Sequence, residues 1–261
     1  MGKTSKKEKI VTFIMVAAII IALLVLCIVA KDEILSKLQY TFITDDNYKV
    51  ILEGLGNTFL ITFISFIIGI ILGTLVCFVQ GLKSENTFII ILKNIVKAYV
   101  SVFRGTPIVV QLLIIYFVIF ASYRGDATII AILAFGLNSG AYVSEIIRGG
   151  INSVPKGQTE AGRSLGLSYW TTMHKIVLPQ AIKNCLPSLG NEFIALIKET
   201  SVASFITVVD LSEAFSDVIA GNYDAQPVYI IMGIIYFIII YAFTILLKKI
   251  ERRLNKDVKV K

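Results

Sequence analysis

Six long runs of apolar residues dominate the sequence, and they restrict the chain to a narrow class of folds. A helix needs about 20 mostly apolar residues to cross the hydrocarbon core of a bilayer. Runs of this kind occupy residues 10–30, 57–80, 96–121, 127–148, 184–208 and 226–247. They are apolar on all sides, whereas a helix of a soluble domain carries one apolar stripe. Because backbone polar groups must be paired inside lipid, we expect all six runs to be helical.

The N-terminal segment, residues 1–30, combines a basic start with the first apolar run. A cleaved signal peptide begins in the same way, but its apolar core is only about 7–15 residues long. The run from Ile10 to Ala30 is longer. We therefore interpret it as an uncleaved first span, followed by an extracellular segment at residues 31–56.

Basic residues are distributed unevenly between the two sides of the membrane that this arrangement predicts. With both termini in the cytoplasm, most of the 25 Lys and Arg residues fall inside, including those of the tail at residues 249–261. The last outside loop contains no Lys or Arg but has Asp210, Glu213, Asp217 and Asp224. Because cytoplasmic segments of membrane proteins are enriched in Lys and Arg, we expect both termini to be cytoplasmic. The net charge of +7 then belongs to the cytoplasmic face beside the lipid, and no basic–aromatic motif indicates nucleic acid.

The one long cytoplasmic loop, residues 149–183, has the composition of folded protein. Pro155 is suited to open a short helix that runs to about Leu165, and Gly166 then permits a turn. Ser168 is a plausible N-cap of a second short helix, which Pro179 ends or kinks into the next span. Two short helices at an angle form a compact projection, here called the knob (residues 155–179). Since a rigid projection transmits force to a partner, we predict that the knob is a docking element.

The spacing of residues in the knob matches the EAA loop of bacterial ABC importer permeases. That pattern is E-A-A, three residues, G, nine residues and I-x-L-P, and the matching positions here are Glu160, Ala161, Gly162, Gly166, Ile176, Leu178 and Pro179. The departure is Gly162, which stands where the family has a third-position Ala. Glycine in a helix costs about 0.5–1 kcal/mol relative to Ala, so we expect a slightly looser first helix that still docks.

Further motifs from about residue 50 to the C-terminus resemble the histidine, glutamine and arginine permeases of the polar amino acid subfamily. They occur in the same order: Arg104-Gly105-Thr106-Pro107, Asn138-Ser139-Gly140-Ala141-Tyr142, Arg148-Gly149-Gly150-Ile151, Gly157-Gln158, Leu178-Pro179-Gln180-Ala181 and Lys198-Glu199-Thr200-Ser201. The resemblance implies an all-α integral membrane protein with a five-helix type I permease core at residues 57–248, to which the first span is an addition. It also implies four partners: a cytoplasmic ABC ATPase, an extracellular amino-acid-binding protein, a second permease copy or sister permease, and a bacterial plasma membrane.

Two carboxylates in the fifth predicted span are candidates for substrate binding. Glu192 and Glu199 are two helical turns apart and share a face, whereas Lys198 points elsewhere. A charge at this depth costs about 2.5–3.5 kcal/mol on insertion scales, so it usually faces protein or a watered cavity. Either the two carboxylates attract a cationic group of the substrate, or they form structural pairs with Arg104 or Lys198. The first alternative favours a cationic amino acid such as arginine, lysine or histidine.

Other polar residues in the spans leave two interpretations open. Arg104 adjoins the Gly105-Thr106-Pro107 break, where it either contacts a substrate carboxylate or pairs with freed backbone carbonyls. Three uncharged residues either bind substrate or bridge helices, namely Gln111, Asn138 and Ser139. Glu145 and Arg148 are expected to form an interfacial pair. Gly69 and Gly73 form a G-x-x-x-G motif that allows close helix packing, and it is a candidate for the subunit interface.

The sequence contains no G-x-x-x-x-G-K-[ST] phosphate loop, so we expect no ATP hydrolysis by this chain. ATP and Mg would be used by the partner ATPase, and no cofactor or metal is expected here. A membrane enzyme would need a catalytic cluster, and His174 is the only histidine. A secondary transporter would not need the knob, and a non-conducting interaction subunit would not need the carboxylates. The preferred function is amino acid translocation by alternating access. Its alternatives are an ABC permease for another small polar solute and a secondary amino acid transporter.

Overall fold

The computed structural model describes residues 41–43, 46–222 and 225–256, together with Ser36 and Gln39, and in these residues it contains helices and turns but no strand. In chain order, the helices are α1 (Asn47–Gly81), α2 (Thr87–Gly105), α3 (Ile108–Ile114, continued by a π turn at Ile115–Ile119), α4 (Ala127–Asn152), α5 (Lys156–Ser164), α6 (Tyr169–Thr172, continued by a π turn at Met173–Val177), α7 (Leu178–Glu199, continued by a 3-10 turn at Thr200–Ile206), α8 (Leu211–Asn222) and α9 (Ala225–Lys256). The predicted first span, residues 10–30, lies outside the described residues, as does the end of the tail.

Three described helices are long and apolar enough to cross a membrane: α1, α4 and α9. A fourth candidate is the pair of α2 and the helical segment Ile108–Ile119, which meet at an angle of 114°. The span predicted at residues 96–121 is therefore divided at the expected Gly105-Thr106-Pro107 break, because Pro107 cannot continue the hydrogen-bonding pattern of α2. The predicted span at residues 184–208 is also shorter, since α7 ends at Glu199. Polar residues along α7 lower its apolar content, although its 22 residues suffice to cross a bilayer.

Close packing of α1 on α4 forms the centre of the fold. A Cβ atom added at Gly69 would lie 2.7 Å from Oγ of Ser139, and one at Gly73 would lie 2.7 Å from Cβ of Val143. The close approach expected of the G-x-x-x-G motif is confirmed. Its location at a subunit interface is wrong, because both glycines are buried within this chain against α4. Around this contact the apolar core continues onto α3, α7 and the 3-10 turn.

The N-terminal half of α1 is joined to the loop before α8. The side-chain amide of Asn57 donates to the carbonyl of Val209 at 2.8 Å, and Oγ1 of Thr58 accepts from the backbone N–H of Leu211 at 3.0 Å. Asp210 caps α8 by accepting from the backbone N–H groups of Ser212 and Glu213. Burial of this carboxyl nevertheless raises its pKa to about 6, because removal from water disfavours the charged form.

Candidate functional site

The break between α2 and α3 is held by the side chain of Gln111. Its amide nitrogen lies 2.8 Å from the carbonyl oxygen of Phe103 and 2.9 Å from that of Thr106. The amide of Asn138 on α4 donates to Oε1 of Gln111 at 2.9 Å. Gln111 thus pairs carbonyls that the break leaves without helical partners, and Asn138 ties the break to α4. Of the two interpretations for Arg104, pairing with these carbonyls is wrong.

We expect Gln111→Leu to destabilise the protein, because it removes the partner of the Thr106 carbonyl and leaves the Phe103 carbonyl with only a longer bond of 3.3 Å from the amide of Asn138. Each unsatisfied group costs about 1–3 kcal/mol. A lower thermal unfolding temperature in detergent would measure the effect. The matched control is Gln158→Leu on the exposed surface of α5, which should unfold like the unsubstituted protein. Equal unfolding temperatures for the two variants would contradict this role of Gln111.

Arg104 lies beside a pair of charged residues on α4. Glu145 accepts hydrogen bonds from Arg148, with 3.1 Å between Oε1 and Nε, and this confirms the expected pair. The guanidinium of Arg104 lies 3.6 Å from the Glu145 carboxylate and 5.3 Å from the centre of the Tyr142 ring. The structure therefore forms a cluster of two cations and one anion at the end of α2.

The carboxylate of Glu192 lies at the contact between α7 and α4, where Ser139 donates a hydrogen bond to its Oε1 at 2.9 Å. Glu192 and Glu199 are each partly buried, while Lys198 between them is exposed, as the helical spacing predicts. Among the described residues, no Lys or Arg comes within 4 Å of Glu192 or Glu199. Within the described residues, neither Glu192 nor Glu199 therefore forms the alternative ion pair with Arg104 or Lys198.

A cleft of about 500 Å³ opens between the end of α2, the second half of α4 and the first half of α7. Polar and charged side chains line much of it, including Arg104, Tyr142, Glu145, Ser153, Asn184 and Ser188. Ser188 precedes Glu192 by one helical turn, so the two residues lie on one side of α7. The cleft and the Glu192–Ser139 contact thus form adjoining parts of one polar surface.

The knob has the two helices expected from the sequence, and Gly166 makes the turn between them. Gly166 has a φ of 80°, a left-handed conformation that glycine adopts readily. The N–H of Leu167 donates to the carbonyl of Gly162, and the N–H of Gly166 donates to that of Arg163. This pair of bonds is the Schellman motif, which satisfies the last carbonyls of α5. Ser168 caps the next helix by accepting from the N–H of Thr171 at 3.1 Å.

Gly162 is buried at the contact between the two knob helices. A Cβ atom there would lie 2.8 Å from Cγ2 of Thr172 and 3.1 Å from Cδ1 of Ile176. Thr172 is itself buried and donates through its hydroxyl to the carbonyl of Ser168 at 3.0 Å, so it has little freedom to move away. The glycine at position 162 therefore allows α5 to lie close to Thr172. The expectation of a looser first helix did not include this advantage.

The second knob helix runs on into α7 without interruption. Helical backbone extends from Tyr169 through the π turn at Met173–Val177 to Glu199. Pro179, expected to end or kink this segment, does not end it: Pro179 follows directly after the π turn, and helical backbone continues past it. At the base of the knob, Val154, Val177 and Ala181 form a small buried core.

The tip of the knob exposes apolar side chains that the sequence analysis did not assign to docking. Leu165 is 80% exposed and Trp170 is 59% exposed, and Tyr169 lies beside them. Glu160 and Ala161 are also exposed, and Leu178 is half-buried near the base. The sequence signal that was missed is an apolar residue, Leu165, directly before the turn glycine and close to Tyr169 and Trp170.

Comparisons with known proteins agree with this architecture. The profile of a family described as "Binding-protein-dependent transport system inner membrane component" matches residues 87–256. The arginine transport system permease protein ArtQ of Bacillus subtilis (strain 168) is 40% identical over 209 residues, which cover 79% of this chain and 93% of that protein. The glutamine transport system permease protein GlnP of Escherichia coli (strain K12) is 36% identical, with 79% and 93% covered.

Solved structures show the same fold. A crystal structure of an amino acid ABC transporter with histidines superposes with a TM-score of 0.75 at 37% identity, covering 84% of this chain and 97% of the other. The inward-facing MetNI methionine ABC transporter superposes with a TM-score of 0.68 at 18% identity, covering 81% and 99%. The all-α arrangement is therefore that of the type I importer permeases. On the family match and the identity with its relatives, the chain belongs to the family of inner membrane components of binding-protein-dependent transport systems.

Proposed function

We propose that this chain is the permease subunit of an ABC importer for polar amino acids, and that its substrate carries a cationic group. Glu192 carries the proposal, because its carboxylate lies at the α4–α7 contact with Ser139 as its hydrogen-bond donor. Permeases named for arginine, cystine and glutamine transport are among its relatives. These names support an amino acid as the substrate class, and the carboxylates favour the cationic members of that class.

The charge balance around Glu192 explains this preference. Removing a carboxylate from water is costly unless a cation or several hydrogen bonds compensate it. Glu199 adds a second negative charge two turns along the same helix, and within the described residues neither carboxylate has a basic group within 4 Å, although Lys198 attracts Glu199 from a greater distance. A substrate ammonium or guanidinium would supply the missing positive charge. Gln111 and Asn138 support the path indirectly by holding the break between α2 and α3.

The knob supports the proposed coupling to a cytoplasmic ATPase. Its Schellman turn and internal packing make it a rigid projection, and its exposed tip offers Leu165 and Trp170 to a partner groove. In this proposal the partner binds and hydrolyses ATP with Mg, and this chain has no ATPase site of its own. An extracellular binding protein delivers the amino acid, and a second copy or sister permease completes the path. The chain spans the plasma membrane several times with both termini in the cytoplasm.

We expect Glu192→Gln to lower the uptake of L-arginine about 10-fold or more, since a hydrogen bond to a charged group contributes about 1.5–3 kcal/mol. Uptake would be measured in proteoliposomes containing the permease with its partner ATPase and binding protein. The control is Glu53→Gln, which removes the same charge from an exposed position on α1. Unchanged arginine uptake and unchanged preference over L-glutamine in Glu192→Gln would remove this residue from the path.

A further inference from the structure

The guanidinium of Arg104 faces the cleft without making a hydrogen bond to any described residue. The carbonyl oxygens of Phe103 and Thr106 at the break accept from the amide of Gln111, and so does Oγ1 of Thr106. Arg104 is therefore not needed to satisfy the broken helix.

Glu145 leaves Arg104 only partly neutralised. Both oxygens of its carboxylate accept from Arg148 in a paired arrangement, which is the strongest geometry between these groups. Arg104 approaches the same carboxylate only to 3.6 Å, beyond hydrogen-bonding distance. Two guanidinium groups thus share one carboxylate, and the cluster retains one positive charge.

Tyr142 orients Arg104 without using its N–H groups. The guanidinium carbon lies 5.3 Å from the centre of the Tyr142 ring, which is a cation–π contact. This contact occupies a face of the planar group, and its N–H edge makes only the 3.6 Å approach to Glu145. A free guanidinium edge matches the two oxygens of a carboxylate. Neutral hydrogen-bonding side chains, Ser153, Asn184 and Ser188, line the same cleft.

We propose that Arg104 binds the carboxylate of the transported amino acid in this cleft. The proposal rests on the proposed function. It assigns a carboxylate-binding end and a cation-binding end to the substrate path. Ser188, which lines the cleft, precedes Glu192 by one turn, about 6 Å along the axis of α7. The carboxylate of Glu192 therefore lies next to the cleft. An amino acid lying along α7 would place its carboxylate at Arg104 and a cationic group toward Glu192.

Binding of amino acids and their amides to the purified permease–ATPase complex, without the binding protein, tests this assignment. Calorimetry would compare L-arginine with L-argininamide, and L-glutamine with L-glutaminamide, because each amide lacks the carboxylate charge. The unsubstituted complex should bind the acids about 10-fold or more tightly than the amides. Arg104→Gln should lose this discrimination by weakening the acids to the level of the amides, and Arg104→Lys should keep part of it.

Arg124→Gln is the matched control, because this exposed arginine lies in the loop before α4, away from the cleft. It should bind acids and amides like the unsubstituted complex. Retained discrimination in Arg104→Gln would overturn the proposal, and so would an equal loss of affinity for acid and amide, which indicates a structural role. The acid-to-amide ratio is independent of the side-chain preference tested by Glu192→Gln. A glutamine-specific permease would therefore contradict the cationic preference and leave the Arg104 assignment intact.

Discussion

Gly73→Leu is expected to prevent the folded protein from forming. A side chain at this position would meet Cβ and Cγ1 of Val143 at 2.7 Å and the backbone nitrogen of Ser144 at 2.8 Å. A backbone atom cannot rotate away as the end of a side chain can, so α1 and α4 would have to separate. The smaller change Gly73→Ala should lower the free energy of unfolding by about 1–3 kcal/mol, the usual cost of overpacking.

Thermal unfolding in detergent and the monodisperse fraction in gel filtration would measure both variants. Gly56 provides the control, because it lies on the same helix and an added Cβ meets no atom within 4 Å. Gly56→Ala should be neutral or stabilise the helix by about 0.5–1 kcal/mol. Equal behaviour of Gly73→Leu and Gly56→Leu would show that the α1–α4 contact tolerates separation.

Leu165→Asp is expected to abolish stable binding of the ATPase while leaving the permease folded. Leu165 is 80% exposed, so the substitution removes no internal contact, but it places a charge in the apolar tip of the knob. An unpaired charge buried in an apolar interface is costly, and a loss of about 2 kcal/mol or more corresponds to at least about 30-fold in affinity. Co-purification of the ATPase and ATP-dependent uptake would both report the loss.

Ser84→Asp is the control for the added charge, since Ser84 is exposed in the connection between α1 and α2. It should retain ATPase binding and uptake. Gly162→Val gives a useful contrast, because it would disrupt the contact with Thr172 inside the knob and lower stability as well as binding. Full ATPase binding by Leu165→Asp would exclude the tip as the docking surface.

The elements that sequence reasoning predicted correctly are those specified by local chemistry. The knob helices follow from Pro155, Gly166 and Ser168, whose preferred backbone conformations or capping bonds act over a few residues. The break at Gly105-Thr106-Pro107 was also visible, but the angle of 114° was not, because it depends on how α3 packs against other helices.

The site residues were harder to interpret because their roles depend on distant contacts. Gln111 and Asn138 were recognised as polar, but only the folded chain shows that they bond to each other across 27 positions. Likewise, Gly162 looked like a weakening departure from the family pattern until Thr172 was found against it. Neither π turn has a sequence signal that we recognised. Packing thus decided which polar groups are structural and which remain available to a ligand.

Helical backbone continues from Tyr169 through the π turn and past Pro187 to Glu199, and it joins the knob and the partly buried carboxylate of Glu192 as two ends of one lever. Trp170 and Glu192 are 22 positions apart, about 33 Å along an ideal helix axis. If the segment tilts as a unit by about 5° around the tip, Glu192 sweeps sideways by about 3 Å on this rise per residue. That displacement equals the 2.9 Å separation between Glu192 and Ser139, so a small rotation at the ATPase suffices to break their bond. Nucleotide-driven motion would then reach the cargo in one mechanical step, without a relay of side chains.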